Sequence, residues 1–164
     1  MDNFDPETAG NNPDIEKQWA VKALEHAECY MKLISSPRVT PSSLRLTPLD
    51  DEIYTTFRAQ FPTFNVGDLT ENGMNTEAGK AKWREWIKPF ENRVRDFNFG
   101  TLVRQRANGE GYSEDNAVFV TRIVFFAIEV ARNREGYNNS AKPPHDEEHS
   151  HEHKCCCPVD HEKK

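Results

Sequence analysis

Apolar residues recur at helical spacing along most of the chain. Ile15, Trp19, Ala23, Ala27, Tyr30 and Ile34 mark one face of a first helix. Asn12-Pro13-Asp14 supplies its start, a short polar cap with proline in the first turn, and Ser35-Ser36-Pro37 stops it. Leu49, Ile53, Phe57 and Phe61 form a second stripe. It is opened by Thr47 as N-cap, Pro48 at the first helical position and acids facing the positive helix end, and it is closed by Pro62. A third helix begins near Thr76, with Trp83, Ile87, Phe90, Val94 and Phe97 spaced 4, 3, 4 and 3 apart. Pro89 lies inside this pattern, where it removes a backbone hydrogen bond and predicts a kink near Glu85 or a split.

The longest predominantly apolar run, Val118 to Ala131, requires cover on most sides, and the three earlier stripes can supply it. Helix is favoured over strand from Val118 to Arg134. Arg122, Glu129 and Arg132 then share one flank, whereas strict alternation puts Arg122 and Glu129 on opposite faces. Ser113 with Glu114 and Asp115 reads as the start of this helix, and Gly136 as its stop. The pattern does not separate helix from strand over residues 98–107 and 116–121. Phe64 to Leu69 reads as irregular or a short extended piece, and Glu71-Asn72-Gly73 and Asn108-Gly109-Glu110-Gly111 read as turns. The expected fold is mainly α: a small orthogonal helical bundle over residues 13–139, with room for one short extended segment. A disordered acidic leader (1–12) and a disordered His/Cys/acidic tail (140–164) are expected to flank it.

Composition sharpens this picture. The hydrophobic fraction of 36% is low for a globular chain, as expected if polar ends dilute an ordinary core. The sequence has no uninterrupted apolar stretch of about 18 residues, so no spanning helix is expected. The N-terminus lacks the basic and apolar regions of a secretory signal. A reducing compartment, cytoplasm or nucleus, is therefore expected, with Cys29 as a thiol. The net charge is −6, yet residues 1–16 carry five acids and no base, and residues 141–164 carry six acids and four bases. The remaining 16 acids and 17 bases leave a near-neutral body, which gives no reason to expect charge-driven nucleic-acid binding.

Candidate chemistry is sparse. His149, His151, His153, Cys155, Cys156 and Cys157 present imidazole and thiolate, ligands for borderline and soft metals. Their spacing fits no structural zinc site, so adventitious binding by a disordered tail is the favoured reading, with a metal-binding adaptor as the alternative. Residues 80–106 carry eight bases, among them Lys82, Arg84, Lys88, Arg93 and Arg95. They read as a solvated face or as a docking surface for an acidic partner. The polar end of the last helix, Arg132, Asn133, Arg134, Glu135 and Tyr137, is the other candidate contact surface, unless its Arg and Glu pair within the bundle. His26 and Cys29 lie one helical turn apart without a third orienting group, which reads as packing rather than catalysis. There is no GxGxxG and no phosphate-cradling loop, and no cofactor is expected.

Several stretches together carry a resemblance: Leu44-Arg45-Leu46-Thr47-Pro48, Phe61-Pro62, Lys82-Trp83-Arg84, Asp96-Phe97-Asn98-Phe99-Gly100-Thr101-Leu102, and the run FFAIEVARNREGYN from Phe125 to Asn138. Over about residues 44–138 the chain resembles the polysaccharide biosynthesis domain-containing protein family. That name suggests glycan metabolism, by a distant grouping with methyltransferases. Such an enzyme needs a glycine-rich strand–loop–helix that this sequence lacks. The resemblance implies instead a small, mainly helical cytoplasmic protein. It would act as a non-enzymatic chaperone, without ATP, on nascent translation elongation factor 1-alpha at the ribosome, protecting that factor's GTP-binding domain.

Overall fold

The structure, a computed structural model, describes residues 13–108 and 111–141. The acidic leader, the centre of the 108–111 turn and all six candidate metal ligands from His149 to Cys157 lie outside the described residues.

Helix α1 (Pro13–Ser35) buries Ala23, Ala27, Tyr30 and Ile34, the positions that the three- and four-residue spacing selects. The stripe ends there on the N-terminal side. Trp19 is 60% exposed, because the first turns of α1 run beyond the surface that the rest of the helix covers. Helix α2 (Asp50–Gln60) buries Ile53 and Phe57. It starts later than a Thr47 cap requires. The buried Asp50 carboxylate accepts from the Leu46 and Thr47 N–H groups, each at 2.8 Å, and from the Thr47 hydroxyl at 3.0 Å. The chain therefore makes a side-chain-bonded turn before it coils. Helix α3 (Glu77–Ile87) has a side-chain cap, the Thr76 hydroxyl accepting from Gly79 N–H at 3.0 Å. Pro89 splits the long third stripe. A single 3₁₀ turn (Lys88–Phe90) follows α3, and Phe90 and Val94 stay buried on turns rather than on a continuous helix.

The next segment is strand where the sequence pattern left helix and strand open, and it takes the first residues of the helix favoured from Val118. Residues Gly100–Arg104 (β1) and Ala117–Thr121 (β2) form an antiparallel pair in the register Gly100↔Thr121, Leu102↔Phe119, Arg104↔Ala117. The expected helical run from Val118 is thus strand to Thr121, and α4 occupies only Arg122–Glu135. Val118 and Val120 pack against the core while Phe119 points away, the period-two pattern of a half-buried strand. Ser113 precedes a short 3₁₀ turn (Glu114–Asn116) and not a helix. Gly136 does end α4, in the left-handed region at φ 84°. The fold is therefore mainly helical but mixed, four α-helices and one two-stranded sheet among the described residues, rather than a purely helical bundle.

Helix α4 is the central element, buried continuously from Ile123 to Asn133. Helix α1 packs on one side, where Phe125 meets the His26 and Tyr30 rings edge-on with centroids 5.1 Å apart. On the other side α2 and α3 join through an aromatic cluster. Trp83 stacks on Phe61 at 4.5 Å and on Phe57 at 5.6 Å, and Trp86 meets Phe90 at 5.0 Å. The Trp86 indole donates to the Thr56 hydroxyl at 3.1 Å, so its polar atom is satisfied within the cluster.

Candidate functional site

The polar end of α4 is mostly interior. Arg132 is fully buried. Its Nε donates to the Val66 carbonyl at 2.6 Å, Nη1 to Glu129 at 2.9 Å and Nη2 to the Arg104 carbonyl at 2.8 Å. Asn138 sits at the centre of the same network. Its amide group donates to Glu129 at 2.9 Å and to the Asn133 side-chain carbonyl at 2.7 Å, and its own oxygen accepts from Arg104 at 2.5 Å. Asn133 completes it by donating to the Tyr30 hydroxyl at 3.1 Å. Burial works to raise the Glu129 pKa, but the Arg132 and Arg104 guanidiniums and the Asn138 hydrogen bond outweigh it and hold the carboxyl below the usual glutamate range. Burial, with the Glu129 charge behind it, pushes the Tyr30 phenol well above its ordinary value.

Arg132 and Asn133 therefore do not present a contact surface. They tie α4 to α1, to β1 and to the Val66 connector. Arg134 and Glu135 lie further out but are engaged. Arg134 donates to Asp51 at 2.6 Å and lies over the Tyr54 ring, and Glu135 takes a two-pronged bond from Arg58 at 2.7 and 2.6 Å. Tyr137 is half-exposed, with one ring edge against the Gly67 backbone. The His26 ring nitrogen Nδ1 lies 2.9 Å from the Thr101 hydroxyl, which makes it a packing residue between α1 and β1. Burial, and then the Arg122 charge, keep its pKa below 6.5.

The basic stretch is also divided by the fold. Arg104 is buried in the network just described, and Arg93 makes a bidentate pair with Glu52 at 2.6 and 2.5 Å. Arg95 lies near Asp96 at 3.8 Å. Lys82, Arg84 and Lys88 are exposed on and just after α3, with Lys80 on the same helix.

Two concavities flank β2, and the first adjoins Lys80 and Arg84. One, about 570 Å³, runs between α3 and β2. Trp83, Ile87, Lys80 and Arg84 form one wall, Val118 to Thr121 the other, with Leu69, Met74 and Val124 between them. The second, about 480 Å³, lies around the outer face of the sheet and is lined by Trp19, Phe99, Gly100 and Phe119. Trp19 and Phe119 are 60% and 58% exposed, a pair of large apolar side chains left open to solvent. No sequence signal separated these from core residues. Trp19 sits in register with a buried stripe, and Phe119 falls inside the longest apolar run.

A model of the family described as PBDC1 protein matches residues 15–143. The chain belongs to the PBDC1 family. Protein PBDC1 of Mus musculus is 51% identical over 135 residues, and that of Homo sapiens 50% identical over 134. Each alignment covers 82% of this chain but only 67% of the mouse protein and 56% of the human one, so this chain spans little more than half of the human relative. A solution NMR structure of a Saccharomyces cerevisiae protein, 45% identical, superposes with a TM-score of 0.72 over 86% of this chain and 97% of that one. The span matched by the family model includes the stretch from Phe125 to Asn138, whose polar residues form the internal network.

Proposed function

We propose that this protein is a non-enzymatic binding protein of the cytoplasm, an ATP-independent holder of the GTP-binding domain of nascent translation elongation factor 1-alpha. The observation that carries this reading is the open apolar surface on either side of β2, edged on the α3 side by Lys80 and Arg84, with Lys82 and Lys88 exposed on and just after the same helix. Exposed apolar patches rimmed by polar or charged residues mark surfaces that meet another protein, a membrane or a ligand, and a client's uncovered apolar surface is one such partner. The scaffold under this surface is firmly locked, since the network around Asn138 ties α1, β1 and α4 together. Holding of this kind draws only on binding free energy, which stabilises whichever client state is bound.

Immunoprecipitation of ribosome-bound nascent chains through this protein tests the reading. Elongation factor 1-alpha chains should be enriched once their GTP-binding domain has been made, and the enrichment should fall when Lys80, Arg84 and Lys88 are changed to glutamate. Absence of that factor among the captured chains, together with normal levels of the factor in cells lacking this protein, would sink the proposal.

A further inference from the structure

The outer edge of β2 borders the cleft with backbone groups. Gln105 N–H donates to the Asn116 carbonyl at 3.1 Å and Arg122 N–H to the Phe99 carbonyl at 2.7 Å. These bonds fix which residues face inward. Asn116, Val118, Val120 and Arg122 turn their backbone groups to β1, so Ala117, Phe119 and Thr121 turn theirs away from it. The sheet has two strands, and among the described residues no third strand pairs with β2.

Edges of this kind are normally blunted by lysine, proline, a bulge or a covering element. Ala117-Val118-Phe119-Val120-Thr121 has no charge and no proline, and its register with β1 runs without a bulge. The Phe119 ring does not screen the edge either, because it leans back across β1 onto Gly100. Four consecutive β2 residues line the cleft, so the cleft meets the strand edge-on rather than on one face. Lys80 and Arg84 stand on the opposite wall.

We infer that β2 accepts an extended segment of a partner protein as a third strand, with apolar residues toward Val118, Val120 and Val124 and acidic residues toward Lys80 and Arg84. Strand addition takes its affinity from main-chain hydrogen bonds and its selectivity from alternate side chains, here apolar and acidic. The inference rests on the cleft being the client-holding face, but its test needs no client.

The probe is the peptide acetyl-Glu-Val-Glu-Val-Glu-Val-Glu-amide, titrated into the isotope-labelled full-length protein and followed by NMR amide exchange. In the free protein the Phe119 and Thr121 amides should exchange quickly, beside slow Val118 and Val120 amides. The peptide should slow Phe119 and Thr121 at least about tenfold while Val118 and Val120 change little. Methylating the peptide's valine and glutamate nitrogens together removes the donors that face β2 in either strand direction, and should weaken binding about tenfold or more. The double change Lys80→Glu, Arg84→Glu should also weaken it, and a peptide with lysine in place of glutamate should bind that variant instead.

Equal binding by the methylated peptide overturns the inference, as do shifts confined to the Trp19 side. Slow Phe119 exchange in the free protein overturns it too, because the edge is then already covered by the chain's own ends or by a second copy. If the peptide fails while elongation factor chains are still captured, the strand-addition mode falls and the proposed function stands.

Discussion

Glu129 lies fully buried, bonded to Arg132 and Asn138 with Arg104 close by, and its single negative charge is the counter-charge to both guanidiniums. Replacing it with glutamine leaves the guanidiniums of Arg104 and Arg132 without their counter-charge in a dry site. Breaking a buried pair in this way costs about 3–5 kcal/mol, to be read as a lower urea midpoint at neutral pH. The sign of the pH effect follows from the depressed Glu129 pKa. Its contribution is present above the ordinary glutamate value of 4.5 and is lost as pH falls through the lower folded value. The acid limb of the stability curve should therefore flatten in Glu129→Gln. His26 adds a second limb of the same sign. Its folded pKa lies below 6.5, so protonation favours the unfolded chain and stability should begin to fall as pH drops below 6.5. Comparing His26→Gln with the parent protein by thermal melts between neutral pH and pH 5 checks this, and a parallel pH dependence in the two would refute it. The family motif around Arg132 was legible as text, but its location was not. A surface and an interior network use the same residue types, and what decides between them is the Val66 and Arg104 carbonyls, which no side-chain pattern announces.

Among the elements, α1, α2 and the beginning of α3 follow from apolar spacing, and the split after Ile87 follows from Pro89. The first part of the last apolar run does not. Val-Phe-Val-Thr suits a strand as well as it suits a buried helix, and the arbiter is β1, whose near end Arg104 is separated from Ala117 by twelve residues. Glycine at position 100 is what leaves space for the Phe119 ring over that strand. A comparable close approach at Gly67 gives a sharper prediction. An added methyl there would meet Tyr137 ring carbons at 2.5 and 2.9 Å, so Gly67→Ala should destabilise the turn after α4. Tyr137→Ala in the same chain should recover part of the loss, a coupling that a double-mutant cycle measures directly. Additive effects would show that the ring simply swings aside. Gly136→Ala places a side chain at φ 84° and should cost about 1 kcal/mol in the same assay.

At the scale of the whole molecule, stability and candidate function occupy different places. Changing Lys80, Lys82, Arg84 and Lys88 to glutamate alters exposed positions and should shift the melting midpoint only slightly, since such sites are each worth within about 0.5 kcal/mol. Under the proposed function, capture of nascent elongation factor 1-alpha chains should fall with the same change, and an undiminished yield would remove these cations from the proposed contact surface. The cleft itself was not legible in advance, because it arises where α3 and β2 fail to close upon one another, and a gap has no residue pattern. The position of Asn138 bears on how the chain comes to fold. Tyr30 meets Asn133 across 103 positions, and Arg104 meets Asn138 across 34. The element that unites the core is thus the last of it to be synthesised. While residues 13–121 emerge, the aromatic rings of α2 and α3 have no α4 to rest on, and the closing bonds wait for position 138. A chain stopped after Ala131 should stay open to protease, whereas one reaching Ala141 should resist it, so that folding is a single late event following translation of the whole domain.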